Sequence, residues 1–333
     1  MGGFFSCHET VSWNHLMALL PGDDGPYVFA SKVPPLYDGF CLIDYFAQRF
    51  AYQDRSTWQA RIAAGDLLVE GTPERDSGRI LSKGVLVEYV HGEFVEPDVP
   101  TDWKVVSISR DWMAVSKPSG MPMHATPRIF RQTLTWQVRK MFGDDWSPAH
   151  RLDRETSGLV LFARGASMAS TLGGFFARRE VAKDYVALVH GHIDQEVDFD
   201  GAIGPAGDPE ISVRQAVVVG GKEAQTAIRP IGVDSRGRGT WIVASPHQGR
   251  MHQIRVHCEA MGHPILGDPL YDGCGGIGYK ARARGESREE WTVLVGGEAL
   301  HLHAWRLHLP DRRPSNLPKE LVCPIREGWS VPF

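Results

Sequence analysis

The sequence predicts a protein that mixes helix and strand and divides into a small leading unit and a larger main domain. Three observations carry this. A chain of 333 residues, 42% of them apolar, can bury a large core and support one smaller domain beside it. Stretches with apolar residues at helical spacing alternate with short runs that read as strands. The segment Glu96-Pro97-Asp98-Val99-Pro100, stiff because of its prolines, reads as a linker.

Composition removes several classes of function. Charged residues make up 23% of the chain, ordinary for a globular protein and against wholesale disorder. No apolar run approaches the ~20 residues of a membrane-spanning helix. No basic segment followed by an apolar core opens the chain, so no secretory signal is read and a cytoplasmic location is expected. The five cysteines (Cys7, Cys41, Cys258, Cys274, Cys323) are scattered without a C-x-x-C pair, which indicates neither a disulfide framework nor a zinc ribbon. The formal net charge of -4 sits awkwardly with nucleic-acid binding, where Lys and Arg must neutralise phosphate. Local patches matter more than totals, because charges are screened over roughly 8 Å at physiological ionic strength.

Residues 1–35 form a Pro/Gly-rich extension with a short helix expected over 11–20 and no functional reading. Over residues 40–65 apolar side chains recur at helical spacing (Leu42, Ile43, Phe46, Phe50, then Trp58, Ile62), which predicts two helices, the second capped by Asp54 or Ser56. Residues 65–71 and 85–90 then read as strands.

In the main domain, residues 105–108 and 112–115 flank Ser109-Arg110-Asp111 as a hairpin and lead to Lys117-Pro118-Ser119-Gly120. Residues 134–142 carry helical periodicity. The central stretch follows: Ala149-His150-Arg151-Leu152-Asp153-Arg154-Glu155-Thr156-Ser157-Gly158, then the apolar run Leu159-Val160-Leu161-Phe162-Ala163. A carboxylate between two arginines that feeds a buried strand is how a loop presents polar groups from a rigid element. Residues 167–179 read as a helix with Leu172 and Phe176 inward and arginines near its end, where cations complement the dipole. Residues 181–191 alternate as a strand, residues 241–244 lead into Gln248-Gly249-Arg250-Met251-His252-Gln253-Ile254-Arg255-Val256-His257, and residues 274–291 read as a glycine-rich, basic surface loop. The remainder reads as a terminal wrap.

The string His150-Arg151-Leu152-Asp153-Arg154-Glu155-Thr156-Ser157-Gly158 resembles the signature of the RluA-type pseudouridine synthases, in which the aspartate is the catalytic residue. Further stretches resemble the rest of that pattern in order: Lys117-Pro118-Ser119-Gly120, the strand Lys183-Asp184-Tyr185-Val186-Ala187-Leu188-Val189, Gly221-Lys222-Glu223-Ala224-Gln225-Thr226, the block ending in His252-Gln253-Ile254-Arg255, and Leu302-His303-Ala304. The chain departs from it at Gln248 and Met251, where threonine is usual. Over about residues 103–310 the resemblance implies an α+β fold: a mostly antiparallel mixed sheet with flanking helices and a central cleft, with a small α/β domain before it. The leading helices and the Gly65 to Gly71 strand are similar to the RNA-binding domain named after ribosomal protein S-four, although residues 38–98 hold eleven Asp and Glu against six Lys and Arg, and Glu70 stands where asparagine is usual. The expected division is 1–35 extension, 36–98 S-four-like RNA-binding domain, 99–333 catalytic domain.

What the resemblance implies is isomerisation of uridine to pseudouridine in structured RNA. The bond from ribose carbon 1 to the base nitrogen breaks, the uracil turns and is rejoined through carbon 5, and no cofactor or metal is expected. Asp153 is the expected nucleophile or electrostatic support. A carboxylate covered by a base needs a cationic partner, since burial raises its pKa; Arg255 resembles the family arginine that pairs with it, with a two-point bond that lysine cannot copy. Tyr185 resembles the tyrosine that packs on the base, a contact worth ~1 to 3 kcal/mol, and that is implicated in proton removal. Arg151 resembles the arginine that fills the space left by an extruded uridine. His150, Lys183, Arg250 and His252 are the further candidates for RNA contact. The partner is an RNA, ribosomal RNA ahead of transfer RNA, with no membrane, and the protein is expected to be a monomer. The rivals are a catalytically silent RNA-binding module of the same fold and a glycoside or nucleoside hydrolase, which would need two carboxylates about 5 to 9 Å apart where only Asp153 sits in a recognisable constellation.

Overall fold

The computed structural model describes residues 18–19, 27–92, 95–126, 129–296 and 299–332, in two compact units, Met1–Pro97 and Asp98–Phe333. Most of the helix expected over 11–20 lies outside the described residues; Ala18 and Leu19 form a strand instead.

In the first unit β1 (Ala18–Leu19), β2 (Tyr27–Lys32), β5 (Leu86–His91), β3 (Leu67–Val69) and β4 (Thr72–Pro73) lie side by side in that order, with helices α1 (Leu42–Arg49) and α2 (Arg55–Ala64). The helices form because their apolar positions share a face: Leu42, Tyr45, Phe46, Trp58 and Ile62 are fully buried, and Phe46 meets Trp58 at 4.8 Å between ring centroids. Asp54 caps α2, its Oδ1 accepting the Thr57 N–H at 2.7 Å, and Gly65 ends it in the left-handed conformation. Glu70 and Gly71 both have positive φ (50° and 75°) in the tight turn from β3 to β4, a conformation asparagine adopts more readily than glutamate. Glu70 offsets this by accepting the Leu86 N–H on its carboxylate at 2.6 Å. Two arginines of this unit spend their charge locally, Arg55 on Asp44 and Arg61 on Asp66.

The second unit is built on one large sheet whose main path runs β11 (Val197–Asp200), β14 (Gln225–Val233), β15 (Gly239–Pro246), β10 (Ala182–His190), β16 (Leu302–His308), β9 (Ser157–Arg164), β7 (Trp112–Lys117), β6 (Lys104–Ile108), with β8 (Trp146–Pro148) on β9 and β17 (Glu320–Val322) on β16. All neighbours are antiparallel except β9 and β16. A separate hairpin joins β12 (Ile203–Pro205) to β13 (Gln215–Val217). Strand β9 reads as a continuous apolar run because both its faces are covered. Leu159 and Leu161 face Leu172 and Phe175 of helix α4 (Gly165–Ala177), while Val160 and Phe162 face Leu134 and Val138 of α3 (Leu134–Phe142). On the sheet's other half, helix α5 (Gln253–Ala260) lays Ile254 and Cys258 on Ala187, Val189 and Ile242. Tyr185 packs against both the α3 and the α5 clusters, so it marks the seam between the two half-cores.

Two expectations need correction. In α4 the deepest residues are Leu172 and Phe175, one position off the expected Phe176. Residues 274–291 are not a loop throughout: α6 (Ile277–Ala283) and α7 (Arg288–Leu294) form there and bury Ala281 and Trp291. The glycines that suggested a loop sit at the entry, where the Asp272 carboxylate accepts the Cys274, Gly276 and Ile277 N–H groups, and a Ser287/Glu290 capping box starts α7. Among the described residues no helix is long and apolar enough to cross a membrane.

Candidate active site

Asp153 lies in the connection from β8 to β9, and the backbone around it is tied down from several directions. Lys117, fully buried at the end of β7, donates its ammonium protons to the carbonyls of Pro118, Met121 and Arg154 at 2.9–3.0 Å. Gly120 N–H donates to the Arg154 carbonyl, and Ser119 Oγ donates to that of Glu155 at 2.6 Å. The Lys117-Pro118-Ser119-Gly120 turn is therefore the clasp of the central loop. The Glu155 carboxylate, buried, pairs with Arg282 of α6 at 2.6 Å. Ser157 Oγ meets His303 Nδ1 at 2.9 Å, and Gly158 lies against the Ala304 backbone. Leu152, buried, anchors this loop one residue before Asp153.

The Asp153 side chain is 27% exposed, and its Oδ2 stands 3.5 Å from Arg255 Nη1 and 4.0 Å from His252 Nε2. The expected two-point bond between Asp153 and Arg255 is not what forms. Arg255 gives its fork to Asp268, Nε at 2.7 Å and Nη2 at 2.8 Å, and only Nη1 faces Asp153. A guanidinium has five N–H donors, so one buried arginine can be fixed by one carboxylate and still offer a proton to another. Burial would push the Asp268 carboxyl up, but the Arg255 guanidinium and the Leu270 and Tyr271 N–H groups outweigh it and hold it below its ordinary range.

Tyr185, on β10 at the seam, lies within electrostatic reach of Asp153. Burial, with the Asp153 carboxylate, pushes its hydroxyl well above the ordinary tyrosine range, so it keeps its proton at neutral pH. Burial, with the charge of Arg255, pushes His252 down to about 4, so its ring is neutral. The Tyr271 hydroxyl lies 2.8 Å from His252 Nδ1. Arg151 is exposed, and its charge is felt by His124 and His252. Lys183, lowered by burial and Arg179, brings its ammonium near Gly249. Arg250 donates Nε to the Glu223 carbonyl at 2.9 Å.

His150, expected to contact RNA, is committed to the fold instead. Its Nε2 accepts the Leu161 N–H at 3.0 Å and its ring stacks on Phe176 at 4.4 Å. Sequence reasoning missed Asp268, Tyr271, Lys117 and Glu155 as supports of the site. Lys117 and Glu155 lie inside stretches that carry the resemblance, which was their only signal; Asp268 and Tyr271 lie outside the stretches named above and had none. Among the described residues no group of three or more His, Cys, Asp or Glu side chains is placed to hold a metal ion. What remains is a part-exposed carboxylate with a guanidinium on one oxygen, next to a protonated phenol and a neutral imidazole. Such a set can oppose positive charge, or bond to it, at an electron-poor carbon.

A family model described as RNA pseudouridylate synthase matches residues 111–260. The chain is similar to an uncharacterized RNA pseudouridine synthase of Synechocystis, 32% identical over 85% of this chain and 96% of that one. It is similar to the mitochondrial tRNA pseudouridine(32) synthase of Saccharomyces cerevisiae, 30% identical over 74% of this chain and 55% of that one. Among solved structures it resembles human RNA pseudouridylate synthase domain containing 1, 27% identical, with a TM-score of 0.55 over 69% of this chain and 86% of that chain.

Proposed function

The chain belongs to the RluA-type family of RNA pseudouridine synthases, and from that premise we propose that Asp153 is the carboxylate on which it isomerises a uridine of a structured RNA. The observation that carries this reading is the placement of Asp153, part exposed with Arg255 Nη1 3.5 Å from one of its oxygens. In the reaction the bond from ribose carbon 1 to the base nitrogen breaks, carbon 5 of the same base bonds to carbon 1, carbon 5 gives up its proton and the freed nitrogen takes one up. Nothing is oxidised or consumed. Asp153 meets the electron-poor sugar, as nucleophile or as counter-charge. The ring of Tyr185 supplies a surface on which the detached uracil stacks. Arg151, exposed beside the aspartate, takes the place of the extruded nucleotide, whose removal from a paired stem costs a few kcal/mol. Lys183 and Arg250 supply positive charge along the approach.

The target is proposed to be ribosomal RNA, on the strength of the leading unit, whose α1, α2 and β3 follow the order of the S-four type domain. A second reading, transfer RNA, is favoured by the yeast relative named for that substrate. Mapping pseudouridines in both RNA pools from cells with the gene, without it, and with an Asp153→Ala allele tests all of this. The expected result is one or a few sites lost in the deletion and not restored by Asp153→Ala. Full restoration by the alanine allele would remove Asp153 from the mechanism, and the pool in which sites vanish decides between the two targets.

A further inference from the structure

We propose that His252 is a positioning residue for Asp153: its Nε2–H, fixed by the Tyr271 hydroxyl on Nδ1, steadies Oδ2 of the carboxylate and leaves Oδ1 to meet the nucleotide. The proposal rests on the reading of Asp153 as the catalytic carboxylate. The chain of hydrogen bonds sets the direction. Tyr271 accepts the Gln215 backbone N–H at 2.9 Å, which uses one lone pair of its oxygen. Burial pushes the phenol of Tyr271 well above its ordinary range, so it holds a proton that needs an acceptor. Arg255, whose guanidinium carbon lies 5.0 Å from the centre of the Tyr271 ring, has donors only. His252 Nδ1, at 2.8 Å, is the acceptor within reach. An imidazole that accepts on Nδ1 carries its proton on Nε2, and Nε2 is the atom that faces Asp153.

The geometry at the carboxylate has the same sense. Arg255 Nη1 at 3.5 Å and His252 Nε2 at 4.0 Å approach the same oxygen, Oδ2. Contacts in a free enzyme are often long and tighten when substrate closes the site. His252 stands at the start of α5 with φ of 58°, an uncommon backbone for a non-glycine residue, and its Nε2 faces Asp153 in the β8–β9 connection. The charged groups around the ring are Arg255, Arg151, Asp153 and Asp268; burial and the arginines outweigh the carboxylates and keep it neutral. A neutral ring steadies Oδ2 without cancelling the charge that the reaction uses.

Two measurements test the proposal. In the free, 15N-histidine-labelled protein near neutral pH, long-range 1H–15N correlations should show His252 protonated on Nε2 and bare on Nδ1; the opposite tautomer would overturn it. In total RNA from cells lacking the gene, labelled with tritium at carbon 5 of uridine, Tyr271→Phe should lower kcat for tritium release roughly tenfold with KM unchanged. An unchanged kcat would also overturn it. Asp153→Ala in the same assay separates the two claims. Activity there removes Asp153 as the catalytic carboxylate, whereas an inactive Asp153→Ala beside a fully active Tyr271→Phe removes only the role of His252.

Discussion

Gly158 and Ala304 stand so close in the parallel pairing of β9 with β16 that a Cβ on residue 158 would lie 2.3 Å from the Ala304 carbonyl oxygen. The backbone at Gly158 also has φ of +111°, where side chains are disfavoured. Gly158→Ala must therefore part the two strands or distort the end of the central loop. The expected cost is at least about 2 kcal/mol of stability, with loss of pseudouridine formation even where the protein still folds. Urea unfolding alongside a turnover assay checks it, and a variant as stable and active as the parent would show that the contact is not needed.

Arg255 is buried with one full partner in Asp268 and a share in Asp153. Asp268→Ala leaves that guanidinium without its fork, at a cost of about 3–5 kcal/mol, the range seen when one partner of a buried pair is removed. Arg255→Lys keeps the charge but cannot serve two carboxylates in two directions, so turnover should fall tenfold or more while RNA affinity holds. Near-normal turnover by the lysine variant would count against the shared-guanidinium geometry.

His150 can accept the Leu161 N–H only while neutral, and burial, then the charge of Lys183, pushes it down from 6.5 to about 3. Between those values the unfolded chain binds the proton and the folded one does not. The stability this contributes is complete above pH 6.5 and is lost progressively as pH falls toward 3, with a slope of at most about 1.4 kcal/mol per pH unit. His252 and His303, both lowered to about 4 first by burial, act in the same sense. His150→Gln keeps an acceptor without a titrating ring, so its urea midpoint should fall less steeply than the parent's below pH 6.5. Parallel curves would remove His150 as a source of the acid sensitivity.

Tyr185→Phe keeps the ring at the seam between the α3 and α5 clusters and removes the hydroxyl. Packing and RNA binding should be preserved; the hydroxyl, which holds its proton at neutral pH, can act there as a donor, and its loss should lower kcat by roughly two orders of magnitude, the usual contribution of a placed proton-transfer group. Single-turnover kinetics with binding measured in parallel checks this. A loss confined to binding would assign the tyrosine to stacking alone.

Much of this was legible because local patterns speak for local structure. The span of α3 matches the predicted 134–142, and Asp54 caps α2 as one of the two residues named for that place. The β9 run was readable because a strand covered on both faces is apolar at every position. What stayed hidden is tertiary. Arg255 and Asp268 lie 13 residues apart in sequence, and nothing in that spacing announces a two-point bond. His150 looked exposed to substrate because it borders Arg151, yet its ring turns to Phe176. Helices α6 and α7, seven residues each and set among glycines, are too short for periodicity to separate from loop.

Strand β16 lies between β10 and β9, and it carries none of Asp153, Tyr185 and Arg255. A ribosome that has delivered all three of those residues has still not supplied the neighbour that holds β10 and β9 in one sheet. On the proposed role of those residues, the nascent polypeptide is expected to bring them together in one sheet only after the segment through His308 has emerged.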